Sequence, residues 1–273
     1  MRMRIDAGDD AALLAPDEPA PVRVLRPEGR SPFFLTADHA GRLIPARLGT
    51  LGLDETERVR HTAWDIGIAG VTERLSEALD ATAVLQPYSR LVIDCNRDPT
   101  AADSIPEVSE ATAIPGNRAL SAAERKARRE AIFDLYHGAI AALLDRRRMA
   151  AQTTALVAMH SFTPVFKREA RAMQVGVLYN RDIRLARSLL LLLRAEGDLI
   201  VADNAPYRVS DATDYGIPVH AERRGLARVE IEIRQDLIAG EAGQAEWAGR
   251  LARLLPEAMG RLEEEDAGPR GRN

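Results

Sequence analysis

Short apolar runs alternate along most of this chain with longer segments whose apolar residues recur at helical spacing. The short runs predict strands, which span 33–37, 82–86, 90–95, 155–159, 175–179, 199–202 and 228–233. The longer segments predict helices over 54–79 (with a break at Gly67 and Gly70), 121–148, 183–196 and 242–265. Because continuous apolar strands alternate with helices, the pattern predicts an α/β fold whose mainly parallel sheet is covered on both faces.

The two ends of the chain interrupt this alternation. Residues 1–30 contain acidic and proline-rich stretches and predict a loosely held lead-in, whereas residues 266–273 predict a polar tail. Residues 31–265 contain neither an internal repeat nor a linker, so they predict one domain. Within the second predicted helix, Ser121 followed by Glu124 fits a capping box.

Composition narrows the function by exclusion. A net charge of −4 offers no general attraction to nucleic acid or to an anionic membrane. The single cysteine, Cys95, excludes an internal disulfide and a zinc site built from cysteines. No apolar leader follows the basic start, and the leucine run at 189–193 is too short to cross a bilayer. The sequence therefore predicts a cytoplasmic protein, and it does not specify an oligomeric state.

Two of the five histidines follow buried apolar runs. His39 comes shortly after the first run and before a glycine, and His160 comes directly after the run at 155–159. Open α/β sheets place their sites at the carboxyl ends of strands, where imidazole is a common metal ligand. We therefore expect both histidines to hold a metal ion. The alternative for His39 is a surface-loop histidine that is hydrogen-bonded to Asp38.

A catalytic zinc site with two histidines needs a third protein ligand. Asp65, which lies among small residues at the start of a helical stretch, is the candidate. Its alternative is a helix-terminal aspartate that interacts with the helix dipole. His61 and His220 compete as ligands, whereas His137 lies within a predicted helix and is assigned a structural role. This set favours one zinc ion, although manganese, iron and cobalt suit the same ligands.

The run RVEIEIR places Glu230 and Glu232 on one face of a predicted strand, because side chains alternate along a strand. Arg228 and Arg234 share that face. The catalytic interpretation is a general base that takes a proton from an activated water and passes it to a leaving amine. The alternative is a ladder of solvent-facing charges on an edge strand.

The segment SRLVIDCNRDP contains candidate groups for binding a substrate carboxylate. Arginine supplies a bidentate fork and asparagine a neutral donor, so we expect Asn96 and Arg97 to bind the carboxylate, with Arg90 in support. The alternative is an ion-paired loop in which Arg97 meets a neighbouring aspartate. Arg224, in the turn ERRG, is a further candidate anion contact, or only part of a charged turn.

Taken together, these segments resemble the N-formylglutamate amidohydrolase family. The motifs occur in family order between about residues 31 and 238, and they read DHAGRLIP, HTAWDIG, SRLVIDCNRDP, AMHSFTP, VGVLYN and VEIEIRQDLI. The family is similar to zinc carboxypeptidases and acylamino-acid deacylases. The resemblance therefore implies a three-layer α/β/α fold and a zinc-activated water.

The resemblance also implies roles for the metal-ligand candidates. His39 and His160 match the family's zinc-binding histidines, and Asp65 lies in the segment expected to hold the third ligand. Carboxypeptidase-like enzymes usually carry HxxE, whereas the residue three positions after His39 is Arg42. The third ligand is therefore expected from elsewhere in the chain.

The remaining matches complete a predicted mechanism. Glu232, ahead of Glu230, matches the glutamate of the family's closing strand, and Asn96 with Arg97 matches its Asn-Arg pair, which resembles a carboxylate clamp. We expect a zinc-dependent amidohydrolase acting on a small molecule, an N-acyl acidic amino acid with formyl as one candidate acyl group. The alternatives are a non-catalytic anion-binding protein with the family fold, and an amidase or peptidase for larger substrates.

Overall fold

A computed structural model describes residues 12–267 of the chain. Its strands are β1 Arg23–Leu25, β2 Phe33–Ala37, β3 Thr82–Leu85, β4 Val108–Ser109, β5 Thr112–Ala113, β6 Ala155–Phe162, β7 Val165–Phe166, β8 Glu169–Ala170, β9 Val175–Leu178, β10 Val201–Asp203 and β11 Ala227–Arg234. Its α-helices are α1 Glu55–Arg58, α2 Ile68–Leu79, α3 Ala122–Arg128, α4 Asp134–Met149, α5 Arg184–Ala195 and α6 Glu241–Asp266.

Seven of the strands form one mixed sheet in the order β1-β3-β2-β6-β11-β9-β10. The central strands β3, β2, β6 and β11 pair in parallel, and β9 pairs in parallel with β10. Two pairings are antiparallel, β1 with β3 and β9 with β11. The short strands form two separate hairpins, β4–β5 and β7–β8. The mainly parallel sheet predicted from the sequence is therefore confirmed.

Helices cover both faces of this sheet. Side chains alternate along each strand, so Phe33 and Leu35 of β2 join one apolar cluster while Phe34 joins another. The first cluster contains the apolar sides of α2, α5 and α6, and the second contains that of α4. This arrangement confirms the three-layer α/β/α fold. No helix within residues 12–267 is both long and apolar enough to span a membrane.

Residues 90–95 do not form the strand that their apolar run predicts. Their apolar side chains are buried, but the backbone turns instead of extending. The carbonyl of Leu91 accepts a hydrogen bond from the Asn117 amide at 2.8 Å, and that of Val92 accepts one from Arg128 at 3.1 Å. These side-chain donors replace the ladder of a strand, because buried carbonyl groups need partners of some kind. The prediction was wrong because burial alone does not make a strand.

The other predicted segments overlap the observed elements, with two changes inside helices. The segment 54–79 divides into α1 and α2. Gly67 caps α2 at φ +83°, where a Cβ would lie 2.0 Å from the Ile238 carbonyl oxygen. The segment 121–148 contains the π-helical turn Arg129–Phe133 between α3 and α4. The capping box at Ser121 is confirmed.

Residues 12–30 are tied to the domain, so the loosely held lead-in predicted there is wrong. Strand β1 extends the sheet beside β3, and Leu13 is buried. The hydroxyl of Tyr88 donates to the Pro19 carbonyl at 2.7 Å. These long-range contacts are invisible in a proline-rich local sequence. The first part of the predicted lead-in, 1–11, and most of the predicted tail, 266–273, lie outside the described residues.

Candidate functional site

Adjacent strands bring the predicted site residues to one end of the sheet. His39 lies just beyond β2, and His160 lies within β6, which continues to Phe162 and so extends past the predicted strand end. Parallel pairing of β6 with β11 places Glu232 opposite His160. Asp65 lies in the turn before α2, and its backbone N–H donates to the His39 carbonyl at 2.9 Å. Two neighbouring strand ends and one turn therefore converge.

His39, Asp65 and His160 form a buried cluster whose spacing suits a metal ion. One potential ligand atom from each residue lies within 4.8 Å of the others. Asp65 Oδ2 is 3.0 Å from His160 Nδ1 and 3.6 Å from His39 Nδ1. A tetrahedral zinc ion with bonds near 2.1 Å separates its ligand atoms by about 3.4 Å. The structure thus brings together the three residues that the sequence nominated.

Several buried polar atoms around this cluster lack a hydrogen-bond partner within residues 12–267. They are Nδ1 of His39, Nε2 of His160, Oδ2 of Asp38 and Oε2 of both Glu230 and Glu232. Unsatisfied buried polar atoms are costly and therefore uncommon in a folded protein. A cation and its water molecules would satisfy His39 Nδ1 and the open glutamate oxygens, whereas His160 Nε2 faces Asp38. The donor set accordingly fits a metal ion.

The charges of the cluster also favour a cation. Burial disfavours the charged imidazole, yet the carboxylates of Glu230 and Asp65 hold the pKa of His160 well above its ordinary value. Burial and Arg90 likewise oppose charge on His39, but neighbouring aspartates still raise its pKa. Positive charge is therefore stabilised between these rings, and a divalent ion would supply it in place of protons.

Asp94 and Arg90 fix the orientation of the His39 ring. Asp94 Oδ1 lies 2.7 Å from His39 Nε2, which leaves Nδ1 directed toward Asp65. Arg90 donates to Asp94 Oδ2 from Nε at 3.1 Å and from Nη2 at 2.7 Å. Hydrogen bonds of this type commonly hold the rings of metal-binding histidines in place. Arg90, predicted as a substrate contact, thus lines the cavity, but its guanidinium is bound to Asp94, which orients the His39 ring.

Asp38 and Tyr136 occupy the corresponding position beside His160. Asp38 Oδ2 lies 3.7 Å from His160 Nε2, which is an electrostatic contact longer than a hydrogen bond. Asp38 Oδ1 accepts a hydrogen bond from the Tyr136 hydroxyl at 2.6 Å. The sequence predicts neither role, because Asp38 adjoins His39 and suggests only a local contact, and Tyr136 lies in a distant helix.

Glu230 and Glu232 are buried rather than solvent-facing. Strand β11 lies inside the sheet between β6 and β9, so the alternative of an edge-strand charge ladder is wrong. Burial is the largest cause that raises the pKa of each glutamate to about 8, and other carboxylates add to it. A carboxyl group with a pKa near neutrality can both accept and return a proton.

These groups line a cavity of about 460 Å³. That volume lies within the range of sites that bind small molecules. Residues of the β4–β5 and β7–β8 hairpins and of the loop 207–214 contribute to its walls. The cavity contains the candidate metal cluster of His39, Asp65 and His160, both glutamates and the predicted residues Arg90, Asn96 and Arg97.

Sequence comparison decides the family. The chain matches the sequence model of N-formylglutamate amidohydrolase over residues 31–239. The chain belongs to the N-formylglutamate amidohydrolase family. The match includes the candidate metal cluster and both glutamates, and membership indicates an amidohydrolase.

Solved structures share the fold of this chain. Gene product Atu2144 from Agrobacterium tumefaciens is 39% identical with a TM-score of 0.89, and the match covers 92% of this chain and 100% of that chain. N-formylglutamate amidohydrolase from Ralstonia eutropha is 20% identical with a TM-score of 0.65, covering 89% of this chain and 99% of that chain. The second similarity shows a shared fold. No match was found among curated proteins.

The Asn-Arg pair that carries part of the family resemblance is engaged by a neighbouring loop. Asn96 Nδ2 donates to Asp214 Oδ1 at 3.1 Å. Asn96 Oδ1 accepts hydrogen bonds from the backbone N–H groups of Tyr215 at 2.9 Å and Gly216 at 3.1 Å. The amide therefore anchors the loop that contains these residues.

Arg97 lines the cavity as well, but its guanidinium is occupied. It donates to the Thr213 carbonyl and lies 3.4 Å from Asp103 Oδ2. Arg224 does not line the cavity, because its guanidinium contacts the Val219 carbonyl at 3.3 Å and lies 3.7 Å from Asp145. The structure thus does not bring Arg224 to the site, and it assigns that residue to a charged turn.

The competing histidines lie outside the metal cluster. His61 lines the cavity, but its Nε2 pairs with Glu110 Oε1 at 3.0 Å. His220 Nε2 lies 2.8 Å from His137 Nδ1, and His137 Nε2 lies 2.8 Å from the Cys95 carbonyl oxygen. Burial lowers the pKa of His137 to about 4 and that of His220 to about 3. His137 and His220 form a second pair of histidines, and both rings are therefore uncharged at neutral pH.

Proposed function

We propose that this protein is a zinc-dependent amidohydrolase that cleaves a linear amide of an N-acyl amino acid. The observation that carries the proposal is the buried cluster of His39, Asp65 and His160 beside Glu232 in one small-molecule cavity. Family membership supports amide hydrolysis. The nitrogen and oxygen donors, without thiols, support zinc as the metal.

His39, Asp65 and His160 would hold the ion, and Asp94 would keep the His39 ring turned toward it. Three protein ligands distinguish catalytic from structural zinc sites, which use four. When bound, zinc would polarise the amide carbonyl and lower the pKa of a water molecule.

Glu232 would move the proton during hydrolysis. It accepts a proton as water oxygen bonds to the amide carbon, then donates that proton to the nitrogen as the carbon–nitrogen bond breaks. The products are a carboxylic acid and an amine. Its position opposite His160 and its unpartnered Oε2 support this role. Glu230, on the same face of β11, is the second candidate for the proton transfer.

Metal analysis of the purified protein tests the proposal. We expect about one zinc per chain in the wild type and its loss in His39→Ala and in His160→Ala. His61→Ala is the matched control, because His61 lines the same cavity outside the cluster, and it should retain zinc.

Turnover of N-acyl amino acids, measured through the release of the carboxylic acid, completes the test. Absence of metal after incubation with zinc would contradict the proposal and favour a non-catalytic anion-binding protein. Bound zinc with hydrolysis of short peptides alone would instead indicate an amidase or peptidase for larger substrates.

A further inference from the structure

The second histidine pair, His137 and His220, is buried and points at a single backbone carbonyl. His137 Nε2 lies 2.8 Å from the Cys95 carbonyl oxygen, which can only accept, so this nitrogen carries the ring proton. The pKa of about 4 keeps the ring neutral, and its Nδ1 is therefore an acceptor. His220 Nε2, which lies 2.8 Å away, donates to it. Both hydrogen bonds thus run in one direction, toward Cys95.

The peptide group between Cys95 and Asn96 continues in the same direction. Its oxygen accepts from His137, and its N–H donates to Asp94 Oδ1 at 2.8 Å. That same carboxylate oxygen lies 2.7 Å from His39 Nε2. This hydrogen-bond relay therefore connects the second histidine pair, through one peptide group, to the aspartate that orients a candidate metal ligand.

The two hydrogen bonds of this peptide group strengthen one another. A donor at the carbonyl oxygen draws electron density from the amide nitrogen, which makes the N–H a stronger donor. The imidazole that donates to the carbonyl packs against the rings of Phe133 at 4.3 Å, Tyr215 at 4.5 Å and Tyr136 at 5.1 Å between centres. These rings bury the relay, and a low local dielectric strengthens the hydrogen bonds within it.

The second histidine pair is more costly than packing requires. His220 Nδ1 is buried and has no hydrogen-bond partner among the described residues 12–267. An apolar side chain of similar size would fill the space without leaving a polar atom unpaired. Packing in the core therefore does not account for the two imidazoles, whereas the relay uses the proton that each of them carries.

The Asn96 side chain holds the two ends of the relay together. Its Oδ1 accepts hydrogen bonds from the backbone N–H groups of Tyr215 at 2.9 Å and Gly216 at 3.1 Å. The π-helical turn Ile217–Ala221 follows directly and contains His220. Turns of this type are rare and occur frequently at functional sites. The residue whose backbone N–H binds the aspartate thus also fixes the segment that carries the first donor.

We propose that His137 and His220 are positioning residues for the metal site. By donating toward the Cys95 carbonyl, they strengthen the backbone hydrogen bond to Asp94 and hold the His39 ring in its ligand orientation. This inference rests on the proposed function, because it takes His39 as a zinc ligand. Neither member of the second pair lines the cavity, so both act through the relay.

Two substitutions at His137 separate the relay from packing. His137→Gln keeps an N–H donor close to the position of Nε2, whereas His137→Leu fills the space without a donor. Competition with a chelator measures zinc affinity. In His137→Leu we expect that affinity to fall by about 3- to 10-fold, less than the roughly 10- to 100-fold loss for a group bound directly to a metal ligand. His137→Gln should restore the wild-type affinity. If His137→Leu does not fold, His220→Leu removes the first donor alone and should give a smaller loss.

A double-mutant cycle shows whether the effect passes through the aspartate. In an Asp94→Asn background, His137→Leu should cause no further loss of zinc affinity, whereas an independent structural effect would add to the first. Phe133→Leu is the matched control, because it loosens the packing around His137 and keeps the donors of the relay. It should lower the free energy of unfolding and leave zinc affinity unaltered. Additive losses in the cycle, or equal losses in Phe133→Leu and His137→Leu, would overturn the inference.

The amide proton of Asn96, observed by NMR in the metal-free protein, separates this inference from the proposed function. His137→Gln and His137→Leu both lack the ring, so a difference between their Asn96 shifts reports the donor alone. We expect this proton at higher field in His137→Leu, because its hydrogen bond to Asp94 is weaker. If the wild type binds no zinc, the proposed function fails, but this difference would still support the relay. Identical Asn96 shifts in the two variants would overturn it.

Discussion

Two pairs of buried histidines in this protein have nearly the same ring separation and opposite chemical character. The rings of His39 and His160 lie 5.2 Å apart, and those of His137 and His220 lie 5.1 Å apart. Aspartates and glutamates surround the first pair. The second pair contacts a backbone carbonyl, aromatic rings and one another.

The neighbours, rather than the burial, account for the difference. Burial opposes a charged imidazole in both pairs. Carboxylates outweigh that cost at His39 and His160, whose pKa values are raised, whereas the pKa values of His137 and His220 fall to about 4 and 3. In this protein the pair that carboxylates accompany is the candidate metal site.

The largest expected effect comes from removing Glu232, the proposed general base beside His39 and His160. Glu232→Gln should lower kcat for amide hydrolysis by about 10²- to 10⁴-fold, because the variant cannot accept a proton. Zinc content, measured by elemental analysis, should stay at the wild-type level. Glu230→Gln is the matched variant on the same strand face, and we expect a smaller loss. Full turnover by Glu232→Gln would show that another group acts as the base.

A smaller effect should follow from weakening the contact between Asp94 and His39. Asp94→Asn should reduce zinc affinity by about 10- to 100-fold, because the amide no longer supplies charge to His39. Competition with a chelator of known affinity measures the change. Asp103 lines the same cavity away from the cluster. Asp103→Asn is therefore the control, and it should leave zinc affinity unaltered. Equal zinc affinity in Asp94→Asn and wild type would remove Asp94 from the site.

Asp38→Asn refines the same comparison. Its carboxylate lies 3.7 Å from His160, whereas Asp94 lies 2.7 Å from His39. We therefore expect a smaller loss of zinc affinity than in Asp94→Asn, measured by the same competition. A larger loss would mean that His160, rather than His39, depends more on its aspartate.

The smallest effect concerns the second pair and the pH dependence of stability. The folded pKa of His137 is about 4, below the ordinary 6.5, so the unfolded chain binds more protons between these values. Stability from the neutral ring is present above pH 6.5 and is lost as the pH falls toward 4. From pH 6.5 to 5.5 the loss should be about 1 kcal/mol for each such histidine, because the unfolded ring is only half protonated at pH 6.5.

Urea unfolding of metal-free protein at several pH values measures this slope. His220→Gln removes one titrating ring from the pair, so its unfolding free energy should fall less steeply than that of the wild type between pH 6.5 and 5.5. If the unfolding free energies of His220→Gln and wild type fall equally with pH, the fold does not disfavour the protonated form of His220.

Local pattern was sufficient for the layers of the fold and for the candidate metal ligands. The apolar runs at β2 and β6 must be buried wherever they lie, and helical spacing marks the segments that cover them. A histidine beside each run then falls at the same end of a parallel sheet. For this reason His39 and His160 could be nominated before any contact was known, together with Glu232 on the neighbouring strand.

Only the tertiary structure decided which polar groups are engaged and which remain free. Asn96 finds its partner Asp214 118 positions along the chain, and Tyr136 reaches Asp38 across 98 positions. Such long-range contacts also occupy Arg97 and turn residues 90–95 away from a strand. The physical reason is that periodicity reports the need of a side chain for burial, whereas the partner of a hydrogen bond depends on where distant segments meet.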